Sequence, residues 1–104
     1  MAVTITTLNK WNSSGTAGDG TWLKITLPKG CASVMVEVSS AAYIDGPGGG
    51  YTDGAARSSG GRATTSGESV TMPISYGRTA RSIYVAGNGG TPVVSVYPAG
   101  PEAR

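Results

Sequence analysis

Apolar and polar residues alternate in short runs along this chain, and Gly, Pro, Asn and Asp separate the runs. Successive side chains of a β-strand point to opposite faces, so alternation with period two is the mark of a strand with one buried side. No window sustains the 3.6-residue period of a helix. The runs place strands at residues 3–8, 22–27, 33–39, 41–44, 69–74, 81–86 and 91–97. Residues 33–39 give the clearest pattern, with Val34, Val36 and Val38 on one side and Met35, Glu37 and Ser39 on the other. Leu23, Ile25 and Leu27 share a face opposite Trp22, Lys24 and Thr26. Val70, Met72 and Ile74 form a third stripe, Ile83 and Val85 a fourth, and Val94 and Val96 a fifth. Pro28-Lys29-Gly30 reads as a turn and Asn88-Gly89-Gly90 as a hairpin signal. Seven short strands with turn signals about every 8–12 residues predict an all-β protein. The expected fold is a single antiparallel β-sandwich over residues 1–104, jelly-roll-like.

Two segments break the rhythm. Residues 9–20 read as a polar loop carrying Trp11, behind an N-terminal strand or arm. Residues 45–67 hold eight glycines and no aliphatic run. That composition builds no core of its own, and a loop so long is functional or disordered. It is expected to project from one end of the sandwich and to order on contact with a partner. Pro98, Pro101 and the polar end predict that the sheet stops there and that residues 98–104 form a tail.

Composition narrows the function. The chain has 104 residues, enough for one domain. With no Phe, the core has to come from Val, Ile, Leu, Met and two Trp. Eight Lys and Arg against six Asp and Glu leave a formal charge of +2, too little for a nucleic-acid or membrane-surface footprint. The absence of His removes Ser-His-Asp chemistry and the usual zinc enzymes. The lone Cys31 excludes an internal disulfide and a Cys-rich metal site, and fits a reducing compartment. No apolar run approaches the ~20 residues of a membrane helix. The N-terminus lacks the basic and apolar regions of a signal peptide, so synthesis in the cytoplasm of the producing cell is expected.

Candidate chemistry is thin. Asp45 and Asp53 sit among free carbonyls, as calcium ligands do, but their spacing fits no known calcium loop, and Asx turns explain them better. The acids are spread along the chain without the apolar frame a glycosidase pair needs. Cys31 lacks a nearby base and reads as a packing residue. The glycine-rich run has no Lys-Ser/Thr pair opening a helix, which a phosphate loop requires. Arg57, Arg62, Arg78 and Arg81 are a loose basic set interleaved with Asp45, Asp53 and Glu68, readable as a mixed solvated surface or as protein contacts. The aromatics are Trp11, Trp22, Tyr43, Tyr51, Tyr76, Tyr84 and Tyr97. Several lie in loops or opposite the aliphatic stripes, where Trp and Tyr serve interfaces and sugar platforms. No cofactor, metal or catalytic residue is expected. The contact candidates are Ile5 within the N-terminal segment, Trp11, Tyr51, Arg57, Arg62 and Tyr84.

The segments TWLKITLPKGCASVMVEVSS, AAYI and RSIYVAGNGGTPVVSVYPAG carry a resemblance over residues 22–97. They resemble the small all-β virion proteins encoded in the structural modules of tailed bacteriophages. The resemblance implies a compact sandwich or jelly roll that assembles on the particle, most often as head decoration (cement), less often as a fibre, tail or baseplate component. Residues 1–20 fall outside it, and residues 45–67 depart from it. It further implies a non-enzymatic protein located on the virion, with the major capsid protein or other virion proteins as partners. A homo-oligomer, by preference a trimer, is expected, with no nucleic acid and no membrane as partner. The alternative is a receptor- or glycan-binding module using exposed Trp and Tyr.

Overall fold

The computed structural model describes residues 2–74 and 81–100. The expectations for Tyr76, Arg78 and the last four residues lie outside that range. The structure is all-β, with a five-stranded and a four-stranded sheet and no α-helix among the described residues. Nine strands occur among the described residues: β1 (Val3–Thr4), β2 (Asn12–Thr16), β3 (Trp22–Thr26), β4 (Ser33–Val38), β5 (Ala42–Asp45), β6 (Arg62–Thr64), β7 (Ser69–Pro73), β8 (Ser82–Gly87) and β9 (Val93–Ala99). The sheet orders are β1-β3-β8-β5-β6 and β2-β9-β4-β7.

The chain pairs with itself as a folded ribbon. β5 lies beside β6, β4 beside β7, β3 beside β8 and β2 beside β9, all antiparallel. The ribbon is wrapped, so β9 also meets β4 and β8 also meets β5. The short β1 runs parallel to β3, a departure from the expected all-antiparallel pattern.

The valine stripes build the core. Val34, Val36, Val38, Val70, Val94 and Val96 face inward from one sheet. Leu23, Ile25, Ala42, Ile44, Ile83 and Val85 face inward from the other. Burying a Val, Leu or Ile side chain fully contributes roughly 1.5–3 kcal/mol relative to exposure. Ile5, Leu27 and Ile74 extend the same cluster. Cys31 lies in it too, its Sγ 3.1 Å from the Ser33 carbonyl, and burial pushes the thiol above its ordinary range. The packing role expected of it fits this setting.

Several expectations need correcting. Asn88-Gly89-Gly90 turns the chain but makes no hairpin, because β8 and β9 belong to different sheets. Here three backbones converge: Gly87 N–H donates to the Gly18 carbonyl (2.9 Å), and Gly20 N–H donates to the Gly87 carbonyl (3.0 Å). The N-terminal strand pairs only over Val3–Thr4, with Ile5 N–H adding a bond to the Thr26 carbonyl (2.8 Å). The sheet does not stop at Pro98, since β9 runs to Ala99 with Pro98 buried. Residues 9–20 are not all loop, because β2 lies within them on the edge of the four-stranded sheet. Likewise β6 lies inside the segment read as a 23-residue loop.

Candidate functional site: the strap, the open edge and the exposed face

The glycine-rich segment between β5 and β6 does not project. Leaving Asp45, it makes a 3-10 turn at Pro47–Gly49, which packs against β8. It then reaches the far edge of β3. There Gly54 N–H donates to the Trp22 carbonyl (2.7 Å), Trp22 N–H to Ala55 (2.9 Å) and Arg57 N–H to Gly20 (2.7 Å). This pairing covers the first half of β3, while β1 covers the second half. The segment is thus a strap across the outer face of the five-stranded sheet, held there by bonds within the chain.

Aromatic stacking fastens the strap. Trp22 and Tyr84 point outward from β3 and β8, opposite the aliphatic side of each strand. Tyr51 stacks flat on Trp22, with ring centroids 4.0 Å apart and planes 8° off parallel. Both rings meet Tyr84 edge-on, at 6.5 and 5.3 Å. The Arg57 guanidinium lies 3.4 Å over the Tyr43 ring, and its Nε donates to the Gly60 carbonyl (2.8 Å). Glycine is required beside Tyr51. A Cβ at Gly60, where φ is +93°, would run into the Tyr51 hydroxyl, and one at Gly49 would strike its ring.

Both aspartates of the segment serve the strap. Asp45 accepts from Gly46 N–H (2.8 Å) and from the Tyr51 hydroxyl (2.7 Å), which holds the phenol above its usual range. Asp53 accepts from Lys24 N–H (3.0 Å), and that bond holds its carboxyl below the usual range. A carboxylate with a lowered folded pKa stabilises the fold above its unfolded value and loses that contribution as pH falls through the folded one. The strap is therefore expected to loosen on acidification. The protection factor of the Gly54 amide, its exchange rate set against the intrinsic rate at each pH, should fall in that window, and Asp53→Asn should remove the fall. A protection factor in the native chain that does not change across the window would contradict this.

The contact candidates are scattered. Ile5 and Tyr84 are 5% exposed and belong to the chain's own cores, so neither offers a contact surface. Tyr51 and Arg57 are half-buried in the strap. Arg62 is exposed on β6 and pairs with Glu68 at 3.4 Å, a surface bond of small worth. Trp11 is 46% exposed and meets Tyr97 edge-on at 5.4 Å. Arg81 is exposed at the start of β8. No two of the six candidates share an exposed patch built for contact.

Two other surfaces stand out. One is a groove of about 430 Å³ lined by Thr4, Ile5, Thr6, Leu8, Thr26, Leu27, Pro28 and Lys29. It runs along β1, whose outer edge has no strand beside it among the described residues. Ile5 N–H bonds toward β3, so the alternation of an extended strand turns the N–H of Thr4 away from it. The other is the outer face of the four-stranded sheet, which carries Trp11, Tyr97, Met35 and Val93. Only the alternation in β4 and β9 signalled that face in the sequence. No group of three or more Asp, Glu or Cys near enough to hold a metal ion occurs among the described residues.

The strap, the open edge and the outer face have no counterpart from which a role can be transferred: comparison with family models, curated proteins and solved structures finds no match.

Proposed function

We propose that the chain is a non-enzymatic structural protein of a tailed-phage particle, in the first place a head decoration protein that docks through the open edge of β1. The proposed fold is a jelly roll. Its support is the strand order: apart from β1, the sheets run 2-9-4-7 and 3-8-5-6, as a long antiparallel ribbon gives when wrapped into two Greek keys. Jelly rolls of this kind are common in viral shells and lectins, and the phage setting rests on the sequence resemblance.

The observation that carries the docking is an apolar groove beside a strand edge that no described residue pairs with. An extended segment of a capsid subunit would gain ladder hydrogen bonds from the edge of β1 and side-chain burial against the half-buried Leu8 and Pro28. One such contact is weak. A trimer of the chain would multiply it through effective concentration. Fibre, tail and baseplate positions are alternatives that copy number per particle separates from decoration.

Thr4→Pro tests the docking. Proline removes the outward N–H of an edge strand and leaves the inward bonds in place. The variant should melt within a few degrees of the native chain, yet fail to bind heads or raise their resistance to heat. Undiminished binding by the folded variant would refute docking by this edge.

A further inference from the structure

We infer that the outer face of the four-stranded sheet is a binding platform for a neutral saccharide chain. This goes beyond the docking reading and uses a different face. Two parallel rows cross the sheet. The first is Trp11, Tyr97, Met35 and Thr71, set by the Tyr97–Met35 and Met35–Thr71 pairs and the Trp11–Tyr97 ring contact. The second is Ser13, Ser95, Glu37 and Ser69, in register one beside the next. Along a strand the rows stand two residues, ~6.8 Å, apart, and each crosses three strand gaps, ~14 Å.

The rows match a ligand with an apolar ring face and hydroxyls around its edge. Pyranose C–H faces stack on aromatic and thioether surfaces, and Trp11 and Met35 present such surfaces at 46% and 37% exposure. The adjoining hydroxyls and the Glu37 carboxylate supply donors and acceptors for the ring edges. A pocket of about 270 Å³, lined by Glu37, Val38, Ser39, Gly67, Val93 and Ser95, opens beside the second row. That is near the lower end of the ~300–1,000 Å³ of small-molecule sites.

Charge and the row of hydroxyls point to the occupant. Glu37 is the one charged residue in the two rows. A carboxylate without a neighbouring cation in the rows disfavours anionic polymers and accepts hydrogen bonds from sugar hydroxyls.

The test is NMR titration of the full chain with cellohexaose, chitohexaose and maltohexaose at millimolar concentration. The Trp11 indole N–H and the Met35 methyl should shift with at least one of the three, while the Trp22 indole N–H, covered by Tyr51, stays in place. Glu37→Gln, an isosteric surface change, should weaken binding about tenfold, as loss of a charged hydrogen bond does. Trp11→Ala should abolish binding, with an unchanged Trp22 signal reporting an intact fold. Three sugars that leave Trp11 unmoved would overturn the inference. So would shifts centred on Trp22, or full-strength binding by Trp11→Ala.

Discussion

Trp22→Ala is expected to destabilise the chain by about 3–5 kcal/mol, as truncation of a buried Trp does. The residue is 3% exposed although it points away from the central core. Its burial comes from the strap: Tyr51 lies on its face and Tyr84 touches its edge. Alanine would leave a cavity beneath Tyr51 and remove the stack that holds it. The backbone bonds from Gly54 and to Ala55 would remain but lose their cover. Urea unfolding should show a lowered midpoint, and hydrogen exchange should show the strap opening ahead of the sheets. A loss under 1 kcal/mol with the strap still protected would mean that the aromatic stack does not anchor it.

Gly87→Ala is the second large effect, expected near 3 kcal/mol, at the upper end for overpacking. The cause is not backbone conformation but space. A Cβ here would collide with the Gly90 carbonyl and lie 2.9 Å from that of Gly18 and 3.0 Å from the Asp19 Cα. All three obstacles are backbone, which cannot rotate aside as a side chain can. Relief requires moving the β8–β9 turn, which also holds the Gly89 N–H bond to Asp19 (2.9 Å). Thermal unfolding should show the loss, while Gly48→Ala, whose Cβ meets nothing within 4 Å, serves as the control. Equal melting of the two variants would refute the close approach.

The parts of the fold that were legible in the sequence are those built from aliphatic alternation. Val34, Val36, Val38, Val94 and Val96 each announce their inward face, and each is fully buried. β2 was hidden because its inward residue within NSSGT is Ser14, a buried hydroxyl with no apolar signal. β6 was hidden for the same reason, with Thr64 inward and bonded to the Ala42 carbonyl (3.1 Å). A turn motif such as Asn88-Gly89-Gly90 tells where the chain reverses but not whether the next strand joins the same sheet.

Glycine was the most misleading signal. In residues 46–61 it reads as freedom, yet Gly49 and Gly60 are clearances for one tyrosine ring. The clue lay in the aromatics: Trp22, Tyr43 and Tyr84 stand on the polar sides of strands that became neighbours, and a fourth ring, Tyr51, sits within the glycines. The contact candidates were chosen by segment and by strand face, and neither tells whether another part of the chain covers the residue. Ile5 and Tyr84 are buried by the chain itself, and the open edge of β1 became visible only once its parallel pairing to β3 was known.

The central claim is that β1 offers its edge to a phage head. Hydrogen exchange on the chain, alone and bound to heads, tests it most directly. The account predicts stoichiometric binding in which the Thr4 amide, and those along residues 6–8, become protected. Heads that bind no chain, or bound chain whose N-terminal amides exchange as fast as in solution, would contradict it.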